Sequence, residues 1–268
     1  MKKAFQFLLS DDPRTKRDGE GYIPTDQLYV LSPDSQHINF KKAKRFTRSE
    51  MMVMEMLSTN QWKRPMYFAV TIGEDYHLGL NPYLELTGMA YQITPERSLD
   101  GRPRVNTKVM YDNMLHKFKY GNMNIPGIYI DENTMRMCRT HRMMFCQLAE
   151  ALYEEGDYEK ALEVLDFAEE MLPGYNIPYD YTSGTMAALY YEMAAMDKGN
   201  AIISKLADNC VEYMEWGASL DAIQRKAAQS TLGHYSAVLG FVLNNLQRFE
   251  QKELFNKYFA LYNQYASR

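Results

Sequence analysis

A helical pattern between residues 142 and 175 constrains the fold of this 268-residue sequence more than any other feature. Apolar and small side chains recur there at helical spacing, as in two amphipathic helices. Gly156-Asp157 can form a turn between them, Asp157 can cap the second helix, and Pro173 can end it. The pattern therefore predicts two antiparallel helices that approach closely. The packing residues are Phe145, Leu148, Ala149, Leu152, Ala161, Leu165, Ala168 and Pro173.

The spacing of these residues resembles the tetratricopeptide unit of about 34 residues. One such unit cannot bury both of its faces, so neighbouring helix pairs are needed to complete a core. We expect a second pair at residues 181–196 and 201–214, with its turn at Asp197-Lys198-Gly199. A third pair is expected at residues 220–246 and 249–265, with a polar break at Asn244-Asn245.

The first half of the chain has a different character, because Gly and Pro interrupt short extended and helical pieces. Aromatic and β-branched residues predict strands, and apolar spacing predicts two helices. Gly121, Pro126 and Gly127 place the boundary between lobes near residues 121–133. The predicted fold class is α+β, with a mixed α/β lobe over residues 1–132 and an all-α tetratricopeptide-like helical-repeat lobe over residues 133–268. The predicted strands are residues 27–31, 66–72 and 89–94, and the predicted helices are residues 46–57 and 107–118.

Charge and cysteine usage exclude some classes of function. The net charge is -4 and the basic residues are scattered, so nucleic acid is not an expected partner. The basic run at residues 41–48 could contact anionic lipid, although a solvated face beside a helix start is the favoured interpretation. Three cysteines, Cys138, Cys146 and Cys210, show no zinc-type spacing and are expected to be buried free thiols. No metal or cofactor is expected.

Candidate catalytic groups are few. Asp11 and Asp12 could act as an acid and base pair, but adjacent side chains on an extended segment point apart. Arg139, His141 and Arg142 could bind an anion, although a solvated helix face explains them more simply. Since HExxH, GxSxG and P-loop motifs are absent as well, no catalytic residue is assigned.

Aromatic residues are the best candidates for binding. Trp62, beside Arg64, could anchor a contact, while Pro65 fixes the entry to a strand. Tyr175, Tyr179 and Tyr181 could line the inner surface of a helical stack that holds a peptide or another domain. Packing is the favoured interpretation of this tyrosine stripe.

Several ordered motifs resemble a known family over nearly the whole chain. In the sequence, these are SDDPRTK (10–16), YIPT (22–25), NQWKRPMYFA (60–69), YDNMLHKFKYG (111–121), YIDE (129–132) and NIPYD (176–180). They resemble the C-terminal part of bacterial membrane proteins of domain-of-unknown-function family 2723. That family is also classed as glycosyltransferase family 117 and is similar to protein O-mannosyltransferases.

The resemblance implies a multi-pass membrane domain that uses a polyprenyl-phosphate-linked sugar and precedes a periplasmic, extracytoplasmic domain. The catalytic acid would lie in that membrane domain, which these residues do not include. We therefore expect this chain to be a non-catalytic accessory domain of a glycosyltransferase. It would bind the membrane domain of the same polypeptide, an acceptor protein or a glycan. The alternatives are a hydrolase or transferase using Asp11 and Asp12 with Glu74 or Asp75, and a pure tetratricopeptide scaffold.

Overall fold

The structure is a computed structural model that describes residues 16–17, 20–21, 28–41 and 46–266. The chain forms two compact units, Met1–Asn113 and Met114–Arg268. Small sheets occur in the first unit and the second is all-helical, which confirms the predicted α+β class. Among the described residues, no helix combines the length and the apolar character that a membrane span requires.

The described residues of the first unit form short strands in three small sheets. Strands β1 and β2 pair antiparallel, as do β3 and β4. The largest sheet has the order β5-β7-β6-β8, in which only the β6–β8 pair is parallel among the described strands. The strands are β1 (Lys16–Arg17), β2 (Glu20–Gly21), β3 (Tyr29–Leu31), β4 (His37–Asn39), β5 (Tyr67–Ala69), β6 (Leu84–Leu86), β7 (Ala90–Ile93) and β8 (Arg104–Val105).

Helix α1 (Arg48–Asn60) starts at a capping box. The Thr47 hydroxyl accepts from the Glu50 amide, and the Glu50 carboxylate accepts from the Thr47 amide, so two amides at the helix start are satisfied. Met54 and Leu57 of α1 enter the core of this unit. The other buried members of that core are Leu28, Val30, Ile38, Phe40, Phe68, Leu78, Leu80, Leu84 and Ile93.

Local patterns in the first unit identify some elements and miss others. β5, β7 and α1 lie within or overlap the predicted strands and helix. The helix predicted over residues 107–118 is a short α2 (Thr107–Tyr111) followed by a π-helix at Asp112–Lys117. No strand is predicted at β6, because the turn formers Asn81 and Pro82 come just before it and form a 3-10 turn.

The second unit consists of long helices joined by short turns. Aspartates cap most of them: Asp131 caps α3, Asp157 caps α4, Asp180 caps α5 and Asp221 caps α7. The helices are α3 (Glu132–Glu154), α4 (Tyr158–Met171), α5 (Tyr181–Glu192), α6 (Met196–Ser219), α7 (Ala222–Arg248) and α8 (Lys252–Ala266).

These helices stack as three consecutive pairs, as the sequence predicts. α3 packs on α4 and on α5, α5 packs on α6, and α6 packs on both α7 and α8. Ala149, Ala161 and Ala168 are buried between helices, which is what the small-residue pattern requires. Cys138, Cys146 and Cys210 are buried free thiols, as expected.

Two turn predictions in this unit were wrong. Asp197-Lys198-Gly199 lies inside α6, and the turn precedes it at residues 193–195, where Ala194 has a φ of 59°. Gly199 serves close packing instead, since a Cβ there would lie 2.5 Å from the Tyr191 ring. Asn245 is buried within α7 and breaks nothing; the turn follows Arg248.

Candidate functional site

Trp62 and Arg64 lie in the turn that follows α1. Gln61 and Trp62 both adopt left-handed backbone, with φ of 48° and 61°. The Asn60 side chain closes this turn, because its Nδ2 donates to the Arg64 carbonyl at 2.6 Å and its Oδ1 accepts from the Arg64 amide at 3.2 Å. Trp62 Nε1 donates to the Leu31 carbonyl at 2.7 Å, so the indole ties the end of α1 to β3. The Arg64 side chain is exposed.

The three candidate tyrosines lie in different environments. Tyr175 is exposed and its hydroxyl donates to the Asn124 carbonyl at 2.6 Å. The Tyr179 hydroxyl donates to Glu169 Oε2 at 2.6 Å. Tyr181 packs against the Phe241 ring, with centroids 4.3 Å apart. Each therefore has an intramolecular contact, and the structure does not gather the three rings into one pocket.

Arg142 corrects the interpretation of residues 139–142 as a solvated helix face. Its side chain is fully buried in α3. The guanidinium donates to the carbonyls of Leu172 at 2.8 Å, Ile177 at 2.9 Å and Pro178 at 3.4 Å. It also donates to Ser183 Oγ at 3.1 Å. The arginine thus binds the connection between α4 and α5, and its planar fork is occupied by three main-chain oxygens and the Ser183 hydroxyl.

Two ionisable side chains, Glu169 and Cys146, are buried close enough to Arg142 for its charge to affect their pKa values. Burial raises the pKa of Glu169, although the Tyr179 hydroxyl and Arg142 oppose that shift. Arg142 Nε and Glu169 Oε1 are buried and have no hydrogen-bond partner among the described residues. Burial raises the pKa of the Cys146 thiol to about 12, so this thiol stays protonated at neutral pH and is a poor nucleophile. Arg142 and its buried neighbours are therefore suited to holding the connection between α4 and α5 in place.

The other two members of the cluster separate from Arg142. Arg139 is half exposed, and its Nε lies 3.6 Å from Asp180 Oδ2. The His141 ring packs edge-on against Tyr120 with centroids 5.7 Å apart, and burial lowers its pKa. The three side chains therefore do not converge into an anion site.

The N-terminal carboxylates Asp11 and Asp12 lie outside the described residues, as do the motifs at residues 10–15 and 22–25. Glu74 and Asp75 are exposed in a 3-10 turn. Within the part of the chain that the structure describes, no group of His, Cys, Asp or Glu is placed to hold a metal ion.

The first unit has a groove between α1 and β5 that no pattern in the sequence predicts. It has a volume of about 500 Å³ and is mostly apolar. We call it the β5 groove. Val53 and Met56 of α1 form one side, and Met66, Phe68 and Ile72 form the other. Met56, Tyr67, Ile72 and Tyr76 line this groove and remain exposed, so apolar surface is concentrated here.

Beside this groove, β5 is an edge strand of its sheet among the described strands. The Met66 carbonyl accepts from the Ile93 amide at 2.9 Å, and the Val70 amide donates to the Met89 carbonyl at 3.3 Å. Because the antiparallel ladder alternates, Tyr67 and Ala69 direct their main-chain groups away from β7. The Ala69 carbonyl accepts from the Ile72 amide at 3.0 Å. The Tyr67 amide and carbonyl and the Ala69 amide have no hydrogen-bond partner among the described residues, so they can pair with an added strand.

Comparison with known proteins gives one family match. The model of TMEM260-associated domain 2 matches residues 20–113, which is less than half of the chain and includes the whole β5 groove. TMEM260 is an O-mannosyltransferase-like protein, so this match agrees with the resemblance to protein O-mannosyltransferases. It does not identify domain-of-unknown-function family 2723 or glycosyltransferase family 117. No curated protein and no solved structure is similar enough to the chain to count as a match.

Proposed function

We propose that this chain is a non-catalytic accessory domain of a membrane O-mannosyltransferase-like protein, outside the cytoplasm, and that it binds acceptor protein in an extended conformation. The β5 groove is the observation that carries this proposal. The TMEM260-associated match over the same residues and the family resemblance of the whole chain both support a link to sugar transfer.

An extended acceptor segment fits the groove in two ways. Its main chain can pair with the Tyr67 amide and carbonyl and with the Ala69 amide, which adds a strand to the sheet. Alternate side chains of that segment would then point toward Val53, Met56 and Phe68. Such pairing reads the backbone more than the sequence, which suits a transferase that modifies many hydroxyl-bearing acceptors. A glycan or a partner subunit is the alternative ligand of this domain.

The binding test uses a fluorescein-labelled ten-residue peptide of alternating threonine and valine. Ala69→Pro removes the outward amide without disturbing a β7 hydrogen bond, because the Ala69 amide faces away from β7. We expect this variant to weaken peptide binding at least tenfold in fluorescence anisotropy. Ala69→Ser keeps the amide and should bind as the parent chain does. Equal affinity of the proline and serine variants would argue against strand addition.

The non-catalytic part of the proposal has a separate test. The chain is incubated with a polyprenyl-phosphate-linked mannose and the same peptide, and the products are examined by mass spectrometry. We expect no mannosylated peptide. A parallel incubation with boiled protein and the same donor is the control. Mannose transfer by the native chain that is absent from this control would overturn this part and would favour the enzyme using N-terminal carboxylates.

A further inference from the structure

The third helix pair is unequal in length. α7 has 27 residues and α8 has 15, which at 1.5 Å per residue correspond to roughly 40 Å and roughly 22 Å. Because α8 runs back along α7 from their shared turn, it does not cover about the first 12 residues of α7 in the part of the chain that the structure describes. A groove of about 730 Å³ opens there, between the first half of α7, the end of α6 and Tyr265 of α8. We call it the α7 groove.

The first half of α7 presents one continuous stripe to the α7 groove. Ala222, Lys226, Gln229, Gly233 and Ser236 line it, at successive spacings of four, three, four and three residues. This is the spacing of a single helix face. The stripe is about 21 Å long, or four helical turns. A face of this length matches another helix packed along it.

Gly233 is placed to admit a helix from outside. A Cβ at this position would meet nothing within 4 Å. Gly217, in contrast, serves the α6–α7 contact, since a Cβ there would lie 2.5 Å from Leu232. A glycine within a helix weakens that helix relative to alanine. Packing among the described residues fills the space beside Gly217 and leaves the space beside Gly233 open, so a helix can approach closely there.

The charged side chains that line the α7 groove are both cationic, Arg225 and Lys226. Arg225 Nη2 donates to the Ala218 carbonyl at 3.3 Å, which holds this guanidinium at the groove wall. Glu215 accepts from the Tyr265 hydroxyl at 2.9 Å and does not line the groove. An apolar floor with cations and no carboxylate in its lining is complementary to an apolar ligand that carries acidic groups.

We propose that the α7 groove binds an amphipathic helix of a partner protein, with carboxylates beside its apolar face. Such a helix would continue the helical stack at the position that α8 leaves open, and its carboxylates would pair with Lys226. This site is separate from the β5 groove and recognises a helix rather than an extended segment, so either site can fail without the other.

The experiment uses the full chain and a labelled 15-residue peptide, with leucines at helical spacing and glutamates beside them. A matched peptide has lysine in place of every glutamate. We expect the glutamate peptide to bind more tightly in fluorescence anisotropy. Lys226→Glu should weaken its binding at least tenfold and should improve binding of the lysine peptide. Loss of affinity for both peptides, or no change for either, would overturn the charge assignment.

A pair of α7 variants tests the location. Gly233→Leu fills the groove and should abolish peptide binding. Gly240→Leu is the control, since a Cβ at Gly240 also meets nothing within 4 Å but this residue does not line the groove. Circular dichroism checks that both variants fold. Equal loss of affinity in both would overturn the site, as would equally tight binding of a glutamate peptide broken by a central proline.

Two further outcomes would assign the groove to another occupant and contradict the proposal. In sedimentation velocity, self-association of the parent chain that Gly233→Leu abolishes would identify a second copy. In a flotation assay, the chain could bind phosphatidylglycerol vesicles. Binding that Lys226→Glu abolishes and that the glutamate peptide does not displace would identify a lipid surface.

Discussion

At the scale of single residues, one guanidinium joins the first helix pair to the second. Arg142 donates to the carbonyls of two buried residues, Leu172 and Ile177, and both carbonyls lose this donor once the guanidinium is gone. Arg142→Met should therefore lower the free energy of unfolding by about 3–5 kcal/mol. Arg142→Lys should recover only part of this loss, because an ammonium lacks the planar fork. Urea unfolding followed by circular dichroism measures both variants.

The control for this prediction is on the same helix, one turn earlier. Arg139 is half exposed and its contact with Asp180 is 3.6 Å long, so Arg139→Met should cost less than about 1 kcal/mol. If the two methionine variants unfold at the same urea concentration, the buried arginine does not hold the connection between α4 and α5.

The buried arginine also shows why residue-scale roles are hard to predict from sequence. Arg142 carries a charge on an amphipathic helix, and such residues are almost always solvent-facing. Its acceptors are main-chain oxygens of residues 172–178, and main-chain groups leave no residue-type signal at that distance along the chain. The motif at residues 176–180 marks the loop, yet nothing in its composition indicates that its carbonyls receive a guanidinium.

At the scale of elements, glycines within helices have opposite roles that the sequence does not distinguish. A Cβ at Gly184 would lie 2.6 Å from the Phe241 ring, and one at Gly199 would lie 2.5 Å from the Tyr191 ring. A Cβ at Gly233 or Gly240 meets nothing within 4 Å. We therefore expect Gly233→Ala and Gly240→Ala to stabilise the chain by up to about 1 kcal/mol each. Gly184→Ala and Gly199→Ala should destabilise it by about 1–3 kcal/mol.

Thermal unfolding of the four alanine variants checks these signs in one experiment. A common direction for all four would contradict the packing described for α5, α6 and α7. The same contrast explains the misplaced turn at Asp197-Lys198-Gly199, because sequence rules treat an isolated Gly as a breaker, whereas Gly199 permits contact with Tyr191. Regular helical spacing, which is a property of many residues together, predicted the three helix pairs correctly.

At the scale of the whole molecule, the second unit includes residues that composition alone would assign to a linker. The Tyr120 ring lies 5.8 Å from both Phe145 and Phe167, centroid to centroid. Asn176 Nδ2 donates to the Met123 carbonyl at 2.8 Å and to the Ile125 carbonyl at 2.7 Å. Gly121, Pro126 and Gly127 interrupt the helical pattern there, so sequence punctuation places the lobe boundary after this segment, while the contacts join the segment to the helices that follow.

This difference predicts the behaviour of two truncated chains. Residues 114–268 retain Tyr120 and the three carbonyls of residues 123–125, and should unfold cooperatively. Residues 133–268 lose an aromatic ring packed on His141, Phe145 and Phe167, together with the bonds from Asn176 and Tyr175. Tyr120 is half-buried, so its loss should cost part of the roughly 3–5 kcal/mol of a fully buried aromatic side chain, and this shorter chain should unfold at a lower temperature. Equal melting temperatures in calorimetry would instead support a boundary at residue 133, because the segment before it would then contribute no stability.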